Sequence, residues 1–174
     1  MIKLYIADAN GYDEHTVGAA LARYALYDTY ASAAPLKKDT RGKPYFEDHA
    51  ARISISHSGG ICIAAISDGE IGADIEQKNG DAEHLTRLAA RYFTKAEAEY
   101  VSATPTERFY EIWCAKESYV KYTGEGFART LSSFSVLDFE MCFSHFDYNG
   151  YHIAICSSEY TDTPPTFVGT DKLL

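Results

Sequence analysis

The sequence predicts an α+β fold in which two halves, each a helix followed by strands, pack against each other. The chain has 174 residues, enough to bury a core without a disulfide or a structural metal. Residues 14–30 have helical periodicity and precede short apolar runs, and this order recurs over residues 81–157. We therefore expect one compact unit over residues 1–174, with approximate halves at 1–70 and 71–160 and an irregular C-terminal tail at 161–174.

The first half is predicted to contain one amphipathic helix and several short strands. From Glu14 to Tyr30, apolar and small residues recur at every third or fourth position, which is the helical pattern. Residues 36–51 are rich in turn formers and include Gly42-Lys43-Pro44. Strands bounded by turn residues are predicted at Arg52–Ser56, Gly60–Ser67 and 71–76. Asp68-Gly69 separates the last two, which predicts that they form a hairpin.

Helices dominate the start of the second half and strands its end. Residues 81–102 are helical in period, and Thr94 with Glu97 forms a capping box that begins a second helix there. The clearest helix runs from Glu107 to Tyr122 and ends at Gly124. The remaining strands are predicted at Leu131–Leu137, Glu140–Phe146 and Tyr151–Ser157, with an Asn149-Gly150 turn before the last.

Composition argues against several functional classes. The chain has 16 Lys and Arg against 25 Asp and Glu, and this net charge of −9 argues against a nucleic-acid surface. The start, MIKLYIADAN, is too short for a signal sequence, and the longest apolar run, Ile61–Ile66, cannot span a bilayer. The cysteines lack zinc-ligand spacing: Cys62, Cys114, Cys142 and Cys156. We expect a reduced, cytoplasmic setting, with neither nucleic acid nor membrane as a partner.

Two carboxylates are predicted to lie on one face of a strand. Asp74 and Glu76 are two residues apart, so their side chains point to the same side of the strand 71–76. Carboxylates this close repel each other unless a cation lies between them, and Mg²⁺ is commonly held by a few carboxylates, waters and phosphates. The alternative is an ordinary half-buried strand whose polar side faces water.

The helix Glu107–Tyr122 carries charged residues beside its apolar stripe. Glu117 and Lys121 are four residues apart and lie on the shoulder of that stripe. Lys116 lies within the stripe, where an ammonium group is costly unless it meets an anion or reaches solvent. This face is predicted to border a charged site; the alternative is a routine surface pair of Glu117 with Lys121.

Space for a phosphate is predicted at the end of the strand Arg52–Ser56. Here Ser56 and His57 lie among serines and glycines, and small residues expose backbone N–H groups. The segment 37–52 has five basic and three acidic residues, which suits a small anionic ligand. The alternatives are a hydrogen-bonded turn histidine and a solvated basic loop. The chain has no Gly-x-Ser-x-Gly elbow, Walker A motif or dinucleotide fingerprint.

Five short motifs follow one another in a specific order and spacing. They are Gly42-Lys-Pro44, Ser54-Ile-Ser-His-Ser-Gly59, Ile71-Gly-Ala-Asp-Ile-Glu76, Arg91-Tyr-Phe93 leading to Glu97, and Trp113-Cys-Ala-Lys-Glu-Ser-Tyr-Val-Lys121 with Gly124-Glu-Gly-Phe127. This series, over about residues 14–157, resembles that of the 4′-phosphopantetheinyl transferases of the Sfp type. The resemblance implies two pseudo-twofold related α+β halves with coenzyme A in the cleft between them, and it implies a monomer.

The resemblance also implies an activity. The enzyme would transfer the 4′-phosphopantetheine arm of coenzyme A to a serine of an apo acyl or peptidyl carrier protein, releasing adenosine 3′,5′-bisphosphate. Asp74, Glu76 and Glu117 would hold Mg²⁺ against the pyrophosphate, and Glu117 would be the base for the attacking serine, directly or through water. Positive charge from Lys121 and the metal would oppose the negative charge that develops during phosphoryl-type transfer.

The resemblance further implies how the donor is bound. Lys121 and Lys116 would offset charge on the pyrophosphate and the leaving group, while Lys43 and His57 would meet the 3′-phosphate. Ser56, beside His57, is assigned to the same donor-binding group.

The chain departs from the family pattern at two places. Gly72-Ala73-Asp74 stands where the family often has Gly-Ile/Val-Asp, which should leave both carboxylates in place. The chain is shorter than typical members at its N-terminus, and the basic residues that often meet the 3′-phosphate there are hard to match. Arg23 and Arg41 are the candidate replacements.

Two other functions are consistent with the same residues. A Mg²⁺-dependent hydrolase of nucleotides or pyrophosphates would use the same carboxylates and would need no carrier protein. A non-catalytic module that binds carrier proteins or coenzyme A would be expected to lack a functional side chain, whereas all are present here: Asp74, Glu76, Glu117 and Lys121. Because carrier proteins present an acidic helix, an acidic enzyme needs a local basic or apolar patch to dock one.

Overall fold

The computed structural model describes residues 1–126, 129–138 and 141–174. Over these residues the chain has an α+β fold, as predicted, with two sheets. The helices are α1 (Glu14–Tyr30), α2 (Ala82–Tyr92), α3 (Lys95–Ser102) and α4 (Pro105–Thr123). The strands are β1 (Ile2–Asp8), β2 (Leu36–Lys38), β3 (Pro44–Phe46), β4 (Arg52–Ser58), β5 (Ile61–Ser67), β6 (Ile71–Gln77), β7 (Cys142–Tyr148), β8 (Tyr151–Ser157) and β9 (Thr166–Phe167).

The first sheet has the strand order β2-β3-β4-β5-β1-β9. β1 and β5 are antiparallel, with Ile6 opposite Ile63, and β9 lies parallel to β1. α1 covers one face of this sheet. Buried residues of the helix and the sheet form the core between them, including Val17, Leu21, Leu26, Ile53 and Ile66.

The second sheet has the order β6-β8-β7 and is antiparallel throughout. Asn149 and Gly150 close the β7-β8 hairpin with positive φ angles of 45° and 82°, which confirms the predicted turn. One face of this sheet packs against the first sheet, while the other faces α4. The core between the sheets is aliphatic and includes Ile6, Ile63, Ile75, Ile153 and Ile155.

Gly72 allows α4 to pack directly on β6. A Cβ atom at this position would lie 1.9 Å from the carbonyl oxygen of Ser118 and 2.4 Å from the backbone nitrogen of Tyr122. No side chain fits in that space, so the helix backbone approaches the strand as closely as a glycine permits. This approach brings the charged end of α4 alongside the polar face of β6.

Two predictions about strands are wrong. The hairpin expected across Asp68-Gly69 does not form, because β6 pairs with β8 in the other sheet while β5 pairs with β1 and β4. Residues 131–137 are not a strand but begin with a 3₁₀ turn, Leu131–Ser133. The carbonyl oxygens of Leu131 and Phe134 accept hydrogen bonds from Lys116, so they are not available to a strand ladder.

The chain ends are more ordered than predicted. No strand is predicted over residues 2–8, where β1 forms, and the tail contributes β9, where Val168 N–H donates to the Ile6 carbonyl at 2.8 Å. The predicted strand Glu140–Phe146 corresponds to β7, but its first residue, Glu140, lies outside the described residues. Within the described part of the chain, no helix is long and apolar enough to cross a membrane.

Candidate active site

Three serines on β4 join the first sheet to β6. Residues 54, 56 and 58 alternate along the strand and all point toward β6. Ser54 Oγ accepts a hydrogen bond from the Ala73 backbone at 2.9 Å, Ser56 Oγ donates to Asp74 at 2.8 Å, and Ser58 Oγ donates to Glu76 at 3.0 Å. The Ser-x-Ser-x-Ser pattern of this motif therefore fixes both carboxylates of β6.

Lys121 of α4 completes the contacts of Asp74. Its Nζ lies 2.7 Å from Asp74 Oδ1, 2.8 Å from Ser56 Oγ and 3.1 Å from the Ala73 carbonyl oxygen. Asp74 is only 5% exposed, and its other oxygen, Oδ2, is buried with no hydrogen-bond partner among the described residues. Asp74 Oδ1 thus accepts hydrogen bonds from Ser56 and Lys121, whereas Oδ2 is left for a further positive group.

The charge of Asp74 raises the pKa of two neighbouring carboxyl groups. The pKa of Glu76 is raised by burial and by the Asp74 charge, against opposing hydrogen bonds from Ser58 and Trp113. Burial and Asp74 also raise the pKa of Glu117, while Lys121 opposes this rise. The predicted carboxylates of β6 and α4 therefore interact, and their mutual repulsion favours a bound cation.

These residues fit a magnesium ion in part. In the described ranges, no three His, Cys, Asp or Glu side chains are arranged to hold a metal by themselves. Mg²⁺, however, needs only one or two protein carboxylates when substrate phosphates and waters complete its octahedron. The orphaned Asp74 Oδ2, with Glu76 and Glu117 near enough for the Asp74 charge to raise the pKa of both, meets that requirement.

A cationic cleft begins at Ser56 and Lys121. Its volume is about 540 Å³, and α1, β2, β4 and α4 all contribute to its walls. The basic residues that line it are His15, Arg23, Lys37, Lys38, His57 and Lys121. Positive charge on several sides of one cleft suits a ligand with phosphate groups. Of the two candidate replacements for the family's N-terminal basic residues, Arg23 lines this cleft and Arg41 does not.

Lys43 and Arg41 line an adjacent cavity of about 190 Å³ that shares Gly42 and Lys121 with the cleft. Lys43 Nζ donates to Glu70 at 2.8 Å and to the Tyr122 carbonyl at 2.9 Å. Its ammonium group therefore ties the turn before β3 to the C-terminal end of α4. Phe127, the last residue of the motif that follows α4, lies outside the described residues.

The structure does not bring Lys116 to the cleft. Lys116 and Glu97 are both 0% exposed and form an ion pair of 2.9 Å. Lys116 Nζ also donates to the carbonyl oxygens of Leu131, at 2.7 Å, and of Phe134. Burial lowers the pKa of Lys116, and the hydrogen bond to Glu97 opposes this change. The predicted contact with coenzyme A is therefore corrected: the anion that this lysine meets is Glu97.

Sequence reasoning missed Glu14 and Ser58. Glu14 Oε2 lies 2.7 Å from His57 Nδ1, which nothing in the local sequence indicates because 43 positions separate the two. Ser58 could have been found, since its two-residue spacing from Ser56 matches the spacing of Asp74 and Glu76 on the neighbouring strand.

Comparisons with known proteins identify the family. The sequence model of the 4′-phosphopantetheinyl transferase superfamily matches residues 70–160, which contain Asp74, Glu76, Glu117 and Lys121. The chain is 33% identical over 155 residues to 4′-phosphopantetheinyl transferase Sfp of Bacillus subtilis (strain 168), covering 76% of this chain and 67% of the relative. It is 32% identical over 133 residues to 4′-phosphopantetheinyl transferase AcpT of Salmonella typhimurium, covering 72% of this chain and 69% of the relative.

A third relative is 4′-phosphopantetheinyl transferase psf-1 of Bacillus pumilus, 31% identical over 130 residues, with 68% of this chain and 53% of the relative covered. The chain thus spans between about half and two thirds of the length of these curated relatives. The family model covers half of the chain, and two of the three matches extend over two thirds of the relative. The chain therefore belongs to the 4′-phosphopantetheinyl transferase superfamily, and its relatives are of the Sfp type.

Proposed function

We propose that this protein transfers the 4′-phosphopantetheine arm of coenzyme A to a serine of an apo acyl or peptidyl carrier protein. Family membership and the names of its relatives support the reaction class. The observation that carries the proposal is the contact between Lys121 and Asp74, because it joins the cationic cleft to the carboxylates of β6. A phosphate-rich donor and a metal-assisted reaction would meet at this point.

Asp74, Glu76 and Glu117 would hold Mg²⁺, with Asp74 Oδ2 as the ligand that is already free of other bonds. When bound, Mg²⁺ would neutralise charge on the pyrophosphate of the donor. Lys121, which Asp74 and Ser56 orient through hydrogen bonds, would place a second positive charge beside the pyrophosphate and the leaving group.

Glu117 is the proposed base. The serine oxygen of the carrier would form a bond to the phosphorus of the phosphopantetheine arm, and the bond from that phosphorus to the bridging oxygen would break. Adenosine 3′,5′-bisphosphate would leave with the bridging oxygen, and the serine proton would pass to Glu117, directly or through water. A pKa raised by burial makes Glu117 a better proton acceptor than an exposed carboxylate.

The donor would lie along the cleft with its 3′-phosphate near α1 and β2. His57, Arg23 and Lys38 line that region, and within the described ranges no carboxylate forms an ion pair with Arg23 or Lys38. Lys43 is engaged by Glu70 and Tyr122, so it would support the 3′-phosphate only by releasing them. Both sheets and the cleft come from one chain, and we propose that it acts as a monomer.

Intact-mass spectrometry of an apo carrier protein tests the proposal. We expect the mass of one phosphopantetheine arm to be added after incubation with the protein, coenzyme A and Mg²⁺. The gain should be absent with EDTA and in Asp74→Ala. Glu83→Ala is the matched control, because this carboxylate is 85% exposed on α2 and does not line the cleft. Release of adenosine 3′,5′-bisphosphate without a modified carrier would refute the transferase and indicate a hydrolase.

A further inference from the structure

Glu14 is held through both of its carboxylate oxygens. It is the first residue of α1, where a helix dipole favours negative charge. Oε1 accepts a hydrogen bond from the backbone N–H of Gly60, and Oε2 lies 2.7 Å from His57 Nδ1. Gly60 and its neighbour Gly59 both have positive φ angles, 89° and 53°, so the turn that presents this N–H depends on glycine. Glu14 is therefore a fixed acceptor for His57.

His57 is confined from a second side by His15. The two rings meet edge to face, with centroids 4.6 Å apart and planes at 84°. Because Nδ1 of His57 is bonded to Glu14, Nε2 is the ring nitrogen left for a ligand. Both histidines line the cationic cleft, so a ligand in the cleft meets an imidazole whose rotation is restricted.

The position of His57 on β4 separates it from the carboxylates. Successive residues of a strand point to opposite faces, and Ser56 points to β6 while His57 points to α1. The cleft thus has two cationic regions, one at Lys121 and one at His57 with Arg23 and Lys38. A ligand that fills both carries two separated anionic groups, as coenzyme A does with its pyrophosphate and 3′-phosphate.

We propose that Glu14 is a positioning residue that sets how strongly the 3′-phosphate of the donor is bound. This inference rests on the proposed function and goes beyond it, since none of the five sequence motifs contains Glu14. Glu14 acts through His57 and does not touch the donor. Without its carboxylate, the His57 ring rotates freely, so that Nε2–H of a ring that carries both protons donates its hydrogen bond to the phosphate only part of the time.

The test compares coenzyme A with 3′-dephospho-coenzyme A, by calorimetric binding without a carrier and by transfer kinetics. Glu14→Ala is expected to raise the Kd and KM for coenzyme A about tenfold, with its effect on kcat and on 3′-dephospho-coenzyme A below about twofold. His57→Ala should give the same result, and the double variant should lose no more than His57→Ala alone. Glu14→Gln, whose amide oxygen still accepts from Nδ1, should recover most of the affinity.

A spectroscopic readout and a matched variant separate positioning from folding. Long-range ¹H–¹⁵N spectra of the coenzyme A complex are expected to show His57 protonated at both nitrogens, with its Nδ1 proton held in a hydrogen bond in the wild type and exchanging rapidly with water in Glu14→Ala. Asp13→Ala is the matched control, because Asp13 caps α1 by accepting from Thr16 N–H at 2.8 Å. This variant weakens the start of the helix and leaves the Glu14 contact with His57 in place, so the ratio of the two donor affinities should not change.

Several outcomes would overturn the inference. If Glu14→Ala weakened the binding of coenzyme A and of 3′-dephospho-coenzyme A equally, Glu14 would only support α1 and the turn at Gly60. Additive losses in the double variant, or a wild type that binds neither donor, would also contradict it. Binding is measured without a carrier, so the two proposals can fail separately. If Glu14 affected binding of the 3′-phosphate but the wild type modified no carrier, only the proposed function would be refuted.

Discussion

Lys121 Nζ lies 2.7 Å from Asp74 Oδ1, while Asp74 Oδ2 is buried and has no hydrogen-bond partner within the described residues. A buried polar atom without a partner costs about 1–3 kcal/mol, and folded proteins contain few of them. Asp74 also raises the pKa of Glu76 and Glu117. The site is therefore arranged at the expense of stability, which is expected where a bound cation and substrate recover the cost.

Removing the Lys121 ammonium should abolish most transfer activity. Lys121→Ala is expected to lower kcat by a factor on the order of 10²–10³, as when one preorganised electrostatic donor is lost. Lys95→Ala is the control, because the Lys95 side chain is 92% exposed and should leave kcat unchanged. A Lys121→Ala enzyme that retained a third of the wild-type kcat would contradict the proposed role.

Glu117→Gln should stabilise the metal-free protein at neutral pH. Because the folded-state pKa of Glu117 is raised above its ordinary value of 4.5, the folded protein binds this proton more tightly than the unfolded chain. Stability therefore falls as the pH rises from 4.5 through the raised pKa, and stays lower above it. Glutamine carries no charge, so Tm in EDTA at pH 7.5 should rise by about 2–4 °C, the shift for about 1 kcal/mol in a chain of this size.

This gain should disappear near pH 4, where the carboxyl is protonated in both states. Thermal unfolding followed by circular dichroism at both pH values measures it, with the exposed Glu83→Gln as control. Mg²⁺ should raise the Tm of the wild type more than that of Glu117→Gln. Equal gains at pH 4 and pH 7.5 would show that the charge of Glu117 is not the cause.

Lys116 should be essential for stability and dispensable for donor binding. Lys116→Ala leaves the fully buried Glu97 without its ion pair, and removing one partner of a buried pair costs about 3–5 kcal/mol. The double variant Lys116→Met, Glu97→Gln should lose less, because no unpaired charge stays buried. Urea unfolding measures both. In the fraction that folds, the KM for coenzyme A should stay within about twofold of the wild type. A large increase would show that Lys116 contributes to donor binding.

Gly72→Ala should disrupt the contact between β6 and α4. Its Cβ would lie 1.9 Å from a backbone oxygen of the helix, a clash that side-chain rotation cannot relieve. We expect a loss of at least about 3 kcal/mol, measured by urea unfolding. Gly69→Ala is the matched control, since a Cβ there meets nothing within 4 Å, and its effect should be below about 0.5 kcal/mol. Similar losses in the two variants would refute the packing explanation.

Local patterns predicted the helices and the carboxylate pair correctly. α1 has the predicted bounds because its apolar spacing and its N-cap, Asp13, are both local. The predicted capping box is also present, with Thr94 and Glu97 exchanging hydrogen bonds at the start of α3. Asp74 and Glu76 share a face because strand alternation is itself a local property.

What could not be predicted depends on contacts between distant segments. The separation of β5 and β6 into different sheets results from pairing with β1 and β8, which lie far away in sequence. The sequence marks Lys116 as an unusual lysine, but its partner Glu97 lies on another helix, so local patterns do not indicate which anion it meets. The same holds for Glu14 and His57, whose contact requires α1 to lie on β4.

The parallel pairing of β9 with β1 has a consequence for biosynthesis. β1 is translated long before β9, so the edge of β1 that β9 covers stays open until residue 168 has been made and Val168 N–H can donate to the Ile6 carbonyl. Until then the nascent chain presents unpaired backbone groups on an apolar strand, which is the kind of edge that recruits other chains. Residues 166–168 thus cover this edge late in synthesis and protect it from pairing with other chains.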